Sequence, residues 1–143
     1  GPLLMARPAR LVVANRSPSK AQALAARHAA LAAQQTVELR SSALGGCGSG
    51  FDVVVNATSS SLAGGEIPVA AGVLAPGALA IDMMYGPAAR PFVDWARRHG
   101  AEGRDGLGML VEQAAEAFRL WRGVTPQTAA VLAALREHWD ATL

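Results

Sequence analysis

Asn15-Arg16-Ser17-Pro18-Ser19-Lys20 stands where an apolar run gives way to a helical pattern. Arg16 and, one helical turn on, Lys20 bring two cations to a helix start, and Ser17 and Ser19 add hydroxyl donors. Free backbone N–H groups and the helix dipole reinforce such charges, so the group suits a dianionic phosphate. A planar guanidinium can grip phosphate in a bidentate way and stack on adenine. In dinucleotide-binding folds an acidic residue near this point binds a bare ribose hydroxyl; here Arg16 takes that place. A capped helix with solvated charges fits the same residues equally well.

Three further stretches are well sited for chemistry. Asn56-Ala57-Thr58-Ser59-Ser60 follows the strongest β pattern, and ligands of open α/β sheets bind outside the carboxyl ends of strands. An ordinary polar turn is as good a reading of that cluster. Asp82-Met83-Met84-Tyr85-Gly86-Pro87 ends another run and holds the only tyrosine, whose hydroxyl could reach a polar ligand beside the soft wall of Met83. A buried structural tyrosine is the plainer alternative. Asp105-Gly106-Leu107-Gly108-Met109-Leu110-Val111-Glu112-Gln113 places two glycines at a helix start, where a ligand can approach the backbone closely. On a helical wheel Gln113 falls beside the apolar face, so a half-buried amide in need of partners is expected there. A hydroxylated substrate or a neighbouring loop carbonyl would serve.

Other features are read as structural. Gly46-Cys47-Gly48-Ser49-Gly50 looks like a phosphate loop but precedes a strand instead of following one, so it is a turn. Cys47 has no activating His or acid nearby in sequence. His28, His99 and His138 are scattered among helical charges and read as surface residues. No Ser-His-Asp or metal-ligand spacing occurs. The sequon at Asn56 is discounted because nothing resembles a signal peptide.

These segments need elements to hold them. Strands are expected at Leu11–Ala14, Thr36–Leu39, Phe51–Val55 and Ala78–Asp82. The run Val53 to Val55 lacks period-2 alternation, which predicts a strand covered on both faces. Helices are predicted at Pro18–Ala30 (opened by Ser17 and Pro18), Pro91–His99 (closed by Gly100), Leu107–Arg122 and Pro126–Asp140. Gly1 to Pro8 reads like the end of a helix. Alternating strands and helices predict an α/β domain with a doubly wound, Rossmann-like, mainly parallel sheet. On the third helix Leu110, Ala114, Ala117, Phe118 and Trp121 share a face, with Glu112, Glu116 and Arg119 facing away. Phe92, Trp95, Phe118, Trp121 and Trp139 are accordingly read as packing anchors.

Bulk properties agree. With 143 residues, 51% hydrophobic and 17% charged, the chain is neither disordered nor long enough for two well-filled domains. The formal charge of +2, with signs interspersed, gives no nucleic-acid footprint. Apolar stretches are broken well short of a membrane span. The single cysteine excludes an internal disulfide and fits a reducing, cytoplasmic setting.

Taken in order, these segments resemble the C-terminal, cofactor-binding domain of shikimate dehydrogenase over nearly the whole chain. Asn15-Arg16-Ser17 with Lys20 is shared with other NADP folds, and Asn56-Ala57-Thr58-Ser59 is moderately specific. Asp82-Met83-Met84-Tyr85 followed by Asp105-Gly106-Leu107-Gly108-Met109-Leu110 and Gln113 is highly specific. The resemblance implies NADP-dependent, reversible reduction of 3-dehydroshikimate to shikimate, on the route to chorismate and aromatic amino acids. It implies that Asn15, Arg16, Ser17 and Lys20 hold the adenosine 2′-phosphate and that Thr58 lines the cofactor path. Met83 and Gly106 would flank the nicotinamide, and Tyr85 and Gln113 would touch the substrate.

Two departures from the family pattern stand out. Residues 1–143 read as one NADP-binding domain with C-terminal helices from 107 onward, lacking both the glycine-rich pyrophosphate turn and the N-terminal substrate domain. With that domain go the family's catalytic Lys and Asp, so the 143 residues alone are expected to be inactive. Alternatives are a quinate/shikimate dehydrogenase paralogue, the NADP domain of glutamyl-tRNA reductase, and a non-catalytic nucleotide-binding domain. Arg16 argues against NAD, and Asp105 to Leu110 argue against the tRNA reductase.

Overall fold

The computed structural model describes residues 1–58, 67 and 69–140, with the side chains of Trp139 and Asp140 excepted. Ser59 and Ser60 of the second polar cluster lie outside the described residues. The chain divides into two compact units: Gly1–Gly50 with the short stretch ending at Val73, and Phe51 onward with Leu74 to the last helix.

In the first unit a single helical turn, α1 (Pro2–Met5), precedes strand β1 (Arg10–Asn15), helix α2 (Pro18–Gln34) and strand β2 (Glu38–Ala43). Strands β1 and β2 are parallel, with Leu11 opposite Leu39 and Asn15 opposite Ala43. Leu4, Ala32 and Val37 form the core, flanked by Leu11, Leu31 and Leu39. Helix α2 runs four residues beyond the predicted Ala30 and ends in a Schellman motif. Val37 N–H donates to Ala32 O at 2.9 Å, and Thr36 N–H to Ala33 O at 3.1 Å. Thr36, expected to begin a strand, instead supplies the left-handed residue of that cap, at φ 58°. Strand β2 therefore starts two residues later and runs on through Arg40, Ser41 and Ser42.

The second unit holds strands β3 (Phe51–Asn56), β4 (Leu74–Asp82) and β5 (Glu102–Arg104), parallel and in that order. Asn56 pairs with Asp82 and Ile81 with Arg104. Helix α3 (Arg90–Arg98) crosses from β4 to β5 and buries Phe92, Val93, Trp95 and Ala96. Phe92 and Trp95 pack with ring centroids 5.4 Å apart. Helices α4 (Leu107–Arg122) and α5 (Thr128–Asp140) follow. Helix α5 begins two residues after the expected Pro126.

Two packing expectations fail here. Val53 and Val55 are 53% and 44% exposed, so β3 is not covered on both faces. On α4 the buried stripe is Leu107 and Val111, while Phe118 and Trp121 are 45% and 81% exposed. The wheel carries two apolar stripes, and within this unit α4 seats the one that starts at Leu107. The anchor reading holds for Phe92 and Trp95 and fails for Phe118 and Trp121.

Candidate functional site

The first group of expected residues assembles at the carboxyl end of β1. Asn15 Oδ1 accepts the Ser17 N–H at 2.8 Å, an Asx turn that redirects the chain into α2. Ser17 is the N-cap in extended conformation, yet its side chain makes no capping bond. The Lys20 N–H donates back to Ser17 O at 3.0 Å. Arg16 and Lys20 are exposed, and neither side chain is engaged in an ion pair or hydrogen bond with a described residue. An unsealed helix start with two unspent cations is electrostatically ready for an anion.

The second group lies in the other unit, where β3, β4 and the start of α4 meet. Asn56, 7% exposed, and Asp82, wholly buried, face each other across the strand pair. Asn56 Nδ2 donates to Asp82 Oδ2 at 3.0 Å, and Asp82 Oδ1 accepts the Met84 N–H at 2.8 Å. Asn56 Oδ1 accepts both the N–H and the hydroxyl of Thr58, at 3.1 and 2.8 Å. The Met83 N–H donates to Asn56 O at 3.0 Å, and the Gly106 N–H to Met84 O at 2.7 Å. Thr58, Met83, Tyr85 and Gly106 are thus brought together on one hydrogen-bonded framework. Met83 and Tyr85 show 41% and 38% of their surfaces. Gly106 is buried, and a Cβ there would collide with the Met83 carbonyl, so only glycine allows α4 to start this close to the β4 turn.

Gln113 sits two turns into α4 and is exposed, not half-buried as the wheel suggested, and its side-chain amide makes no hydrogen bond to a described residue. An amide exposed in this way can take its partners from solvent or from a ligand.

The sequence shows one residue of this region only as part of a motif, without the role the structure gives it. Asp105 accepts a bidentate pair of hydrogen bonds from Arg136 of α5, at 2.7 and 2.5 Å, and caps α4 through the Leu107 N–H at 3.2 Å. Burial pushes the Asp105 carboxyl up. The hydrogen bonds from Arg136, Leu107 and Gly86 and the Arg136 charge outweigh this, so it sits below the ordinary aspartate value. An Asp immediately ahead of a helical pattern was the available signal, but nothing in spacing pointed to Arg136, 31 residues on. Among the described residues no cluster of His, Cys, Asp or Glu could hold a metal ion. No described helix is long and apolar enough to cross a membrane.

Parallel strands linked through helices, with polar turns at their carboxyl ends, define an α/β domain of the Rossmann-like class. Residues 106–136 match the family model of the shikimate 5′-dehydrogenase C-terminal domain. Over 136 residues the chain is 66% identical to a shikimate dehydrogenase (NADP(+)) of Methylibium petroleiphilum, covering 95% of this chain and 46% of that one. Among solved structures, the Ael1 enzyme of Pseudomonas putida is 47% identical at a TM-score of 0.76, covering 94% of this chain and 48% of that one. A shikimate dehydrogenase in complex with NADP+ is 27% identical at a TM-score of 0.72, with coverages of 94% and 48%. The chain belongs to the shikimate dehydrogenase family. It spans about half the length of the curated relatives it matches.

Proposed function

We propose that these residues form the cofactor-binding part of an NADP-dependent shikimate dehydrogenase, which interconverts 3-dehydroshikimate and shikimate in the biosynthesis of chorismate and aromatic amino acids. The observation that carries this reading is the pair Arg16 and Lys20, exposed and unspent at the uncapped start of α2. A ribose 2′-phosphate fits that donor set, whereas a bare 2′-hydroxyl calls for an acceptor, which Arg16 is not. The names of the relatives support the same choice of cofactor and substrate.

In this mechanism the nicotinamide supplies the hydride. Arg16 and Lys20 neutralise the 2′-phosphate, with Asn15 and Ser17 shaping the turn that presents them. Thr58 lines the path of the cofactor. Met83 offers an apolar, polarisable flank and keeps water from the ring, while Gly106 lets the backbone come close on the same side. Tyr85 and Gln113 orient the hydroxylated ring of the substrate. The proton for the carbonyl oxygen would come from the Lys and Asp that the family resemblance implies in a substrate-binding domain. The reading includes a cytoplasmic location.

Steady-state kinetics of the protein expressed from its complete gene provide the test. Shikimate oxidation should favour NADP+ over NAD+ by at least tenfold in kcat/KM. Equal use of both cofactors, or no turnover of shikimate, would overturn the proposal.

A further inference from the structure

Asn56 and Asp82 have no assigned part in binding or chemistry, yet they hold the turns that carry Thr58 and Met83 and, through Met84, the Gly106 start of α4. Resting on the functional reading above, we propose that the Asn56–Asp82 pair is a positioning device that sets the Thr58 turn and the Met83–Tyr85 turn relative to each other. The geometry fixes the direction of each bond named here. The Thr58 N–H can only donate, so the Asn56 atom facing it is oxygen, and its amide nitrogen must point at Asp82. Both Asp82 oxygens then accept, one from Asn56 Nδ2 and one from the Met84 N–H. Met84 in turn accepts from Gly106, which carries the same constraint to the start of α4.

Neither partner works with the wrong mate. In Asp82→Asn, position 82 must turn an NH2 either toward the Met84 N–H or toward Asn56 Nδ2, a donor facing a donor in both orientations. In Asn56→Asp, two carboxylates meet edge to edge in a buried site. The double exchange Asn56→Asp with Asp82→Asn restores complementarity. The new Asn at 82 donates to the new Asp at 56 and accepts from Met84, and the Asp accepts from both Thr58 groups. A pair that merely fills space would not respond to this exchange.

The test is a double-mutant cycle in the protein expressed from its complete gene, following kcat, both KM values and Tm. Each single substitution should lower kcat by roughly ten- to a hundredfold, because displacement of about 1 Å near a reacting centre has that effect. The KM for NADP+ should change less than threefold, since the 2′-phosphate grip lies elsewhere. The double exchange should recover kcat to within about threefold of wild type and regain most of the lost Tm. Additive losses in the double variant would overturn the proposal, as would singles with unchanged kcat. If the singles do not fold, the double exchange must fold and turn over; an unfolded double exchange also overturns it. Failure of the functional reading is separately visible as a wild type that does not oxidise shikimate with NADP+. The Tm cycle then decides the pair by itself, and additive Tm losses overturn it.

Discussion

Gly106 and Met83 lie so close that a single methyl group on Gly106 would occupy the space of the Met83 carbonyl. The contact is backbone on backbone, so no side chain can swing aside to relieve it. Gly106→Ala should therefore push α4 off the β4 turn, at a cost of about 1–3 kcal/mol. We expect kcat to fall more than the KM for NADP+, with a lower Tm. A Gly106→Ala protein with unchanged kcat and Tm would show that the turn yields freely.

Arg16→Ala removes a charged donor from the start of α2. Hydrogen bonds to charged groups are worth about 1.5–3 kcal/mol, so the KM for NADP+ should rise roughly ten- to a hundredfold while that for shikimate stays near wild type. An unaltered NADP+ KM would reduce Arg16 to a solvated surface charge.

Asp105 makes stability depend on acid. Its folded pKa lies below the ordinary aspartate value, so its contribution is complete above that ordinary value and is lost as pH falls through the depressed one. Arg136→Met removes the fork and its charge, leaving burial opposed only by the Leu107 and Gly86 hydrogen bonds, so the Asp105 pKa rises from its wild-type position. The acid limb of its denaturation profile should then move to higher pH, and the stability gap from wild type should be widest near neutrality and shrink on acidification. Parallel denaturant titrations between pH 3 and pH 7 measure both. A gap that stays constant over this range would rule out the linkage.

Thr36 occupies left-handed backbone space that a β-branched residue enters only at a cost. Thr36→Gly keeps both Schellman bonds and relieves a strain of about 1–2 kcal/mol, offset in part by the greater freedom of glycine in the unfolded chain, for a net gain of up to about 1 kcal/mol. Tm should rise by roughly 2–4 °C, and calorimetry would record it. A lower Tm would mean that Thr36 is held by contacts worth more than its strain.

Much of the scaffold was legible because its signals are local. Ser17 with Pro18 opens α2, Gly100 closes α3, and Leu107 to Arg122 is helical over the whole predicted span. Strand β5 left no such signal. It is three residues long, charged at both ends, and carries Gly103 in the middle because the Val93 backbone leaves no room for a Cβ. The placement of β2 failed for a related reason: Val37 satisfies a strand pattern and a Schellman cap alike, and the hydrogen bond to Ala32 decides for the cap. The turns bearing Arg16, Thr58, Met83, Tyr85 and Gly106 could be found by position, since each follows a strand or opens a helix. The Asn56–Asp82 pair could not, because partners 26 residues apart become visible only when the strand register is known. The exposure of Gln113 and Phe118 was equally hidden, since a wheel shows where apolar residues gather but not which gathering is covered.

The outward-facing indole at the end of α4 gives this protein a built-in optical probe. Trp121 is 81% exposed, whereas Trp95 is almost entirely enclosed. With the third tryptophan, Trp139, replaced by Phe, the two should therefore emit at different wavelengths, the first with the long-wavelength spectrum of a hydrated indole. Any body that comes to rest on the last turn of α4 will dry that ring and move its emission toward the blue, while the Trp95 signal stays where it was.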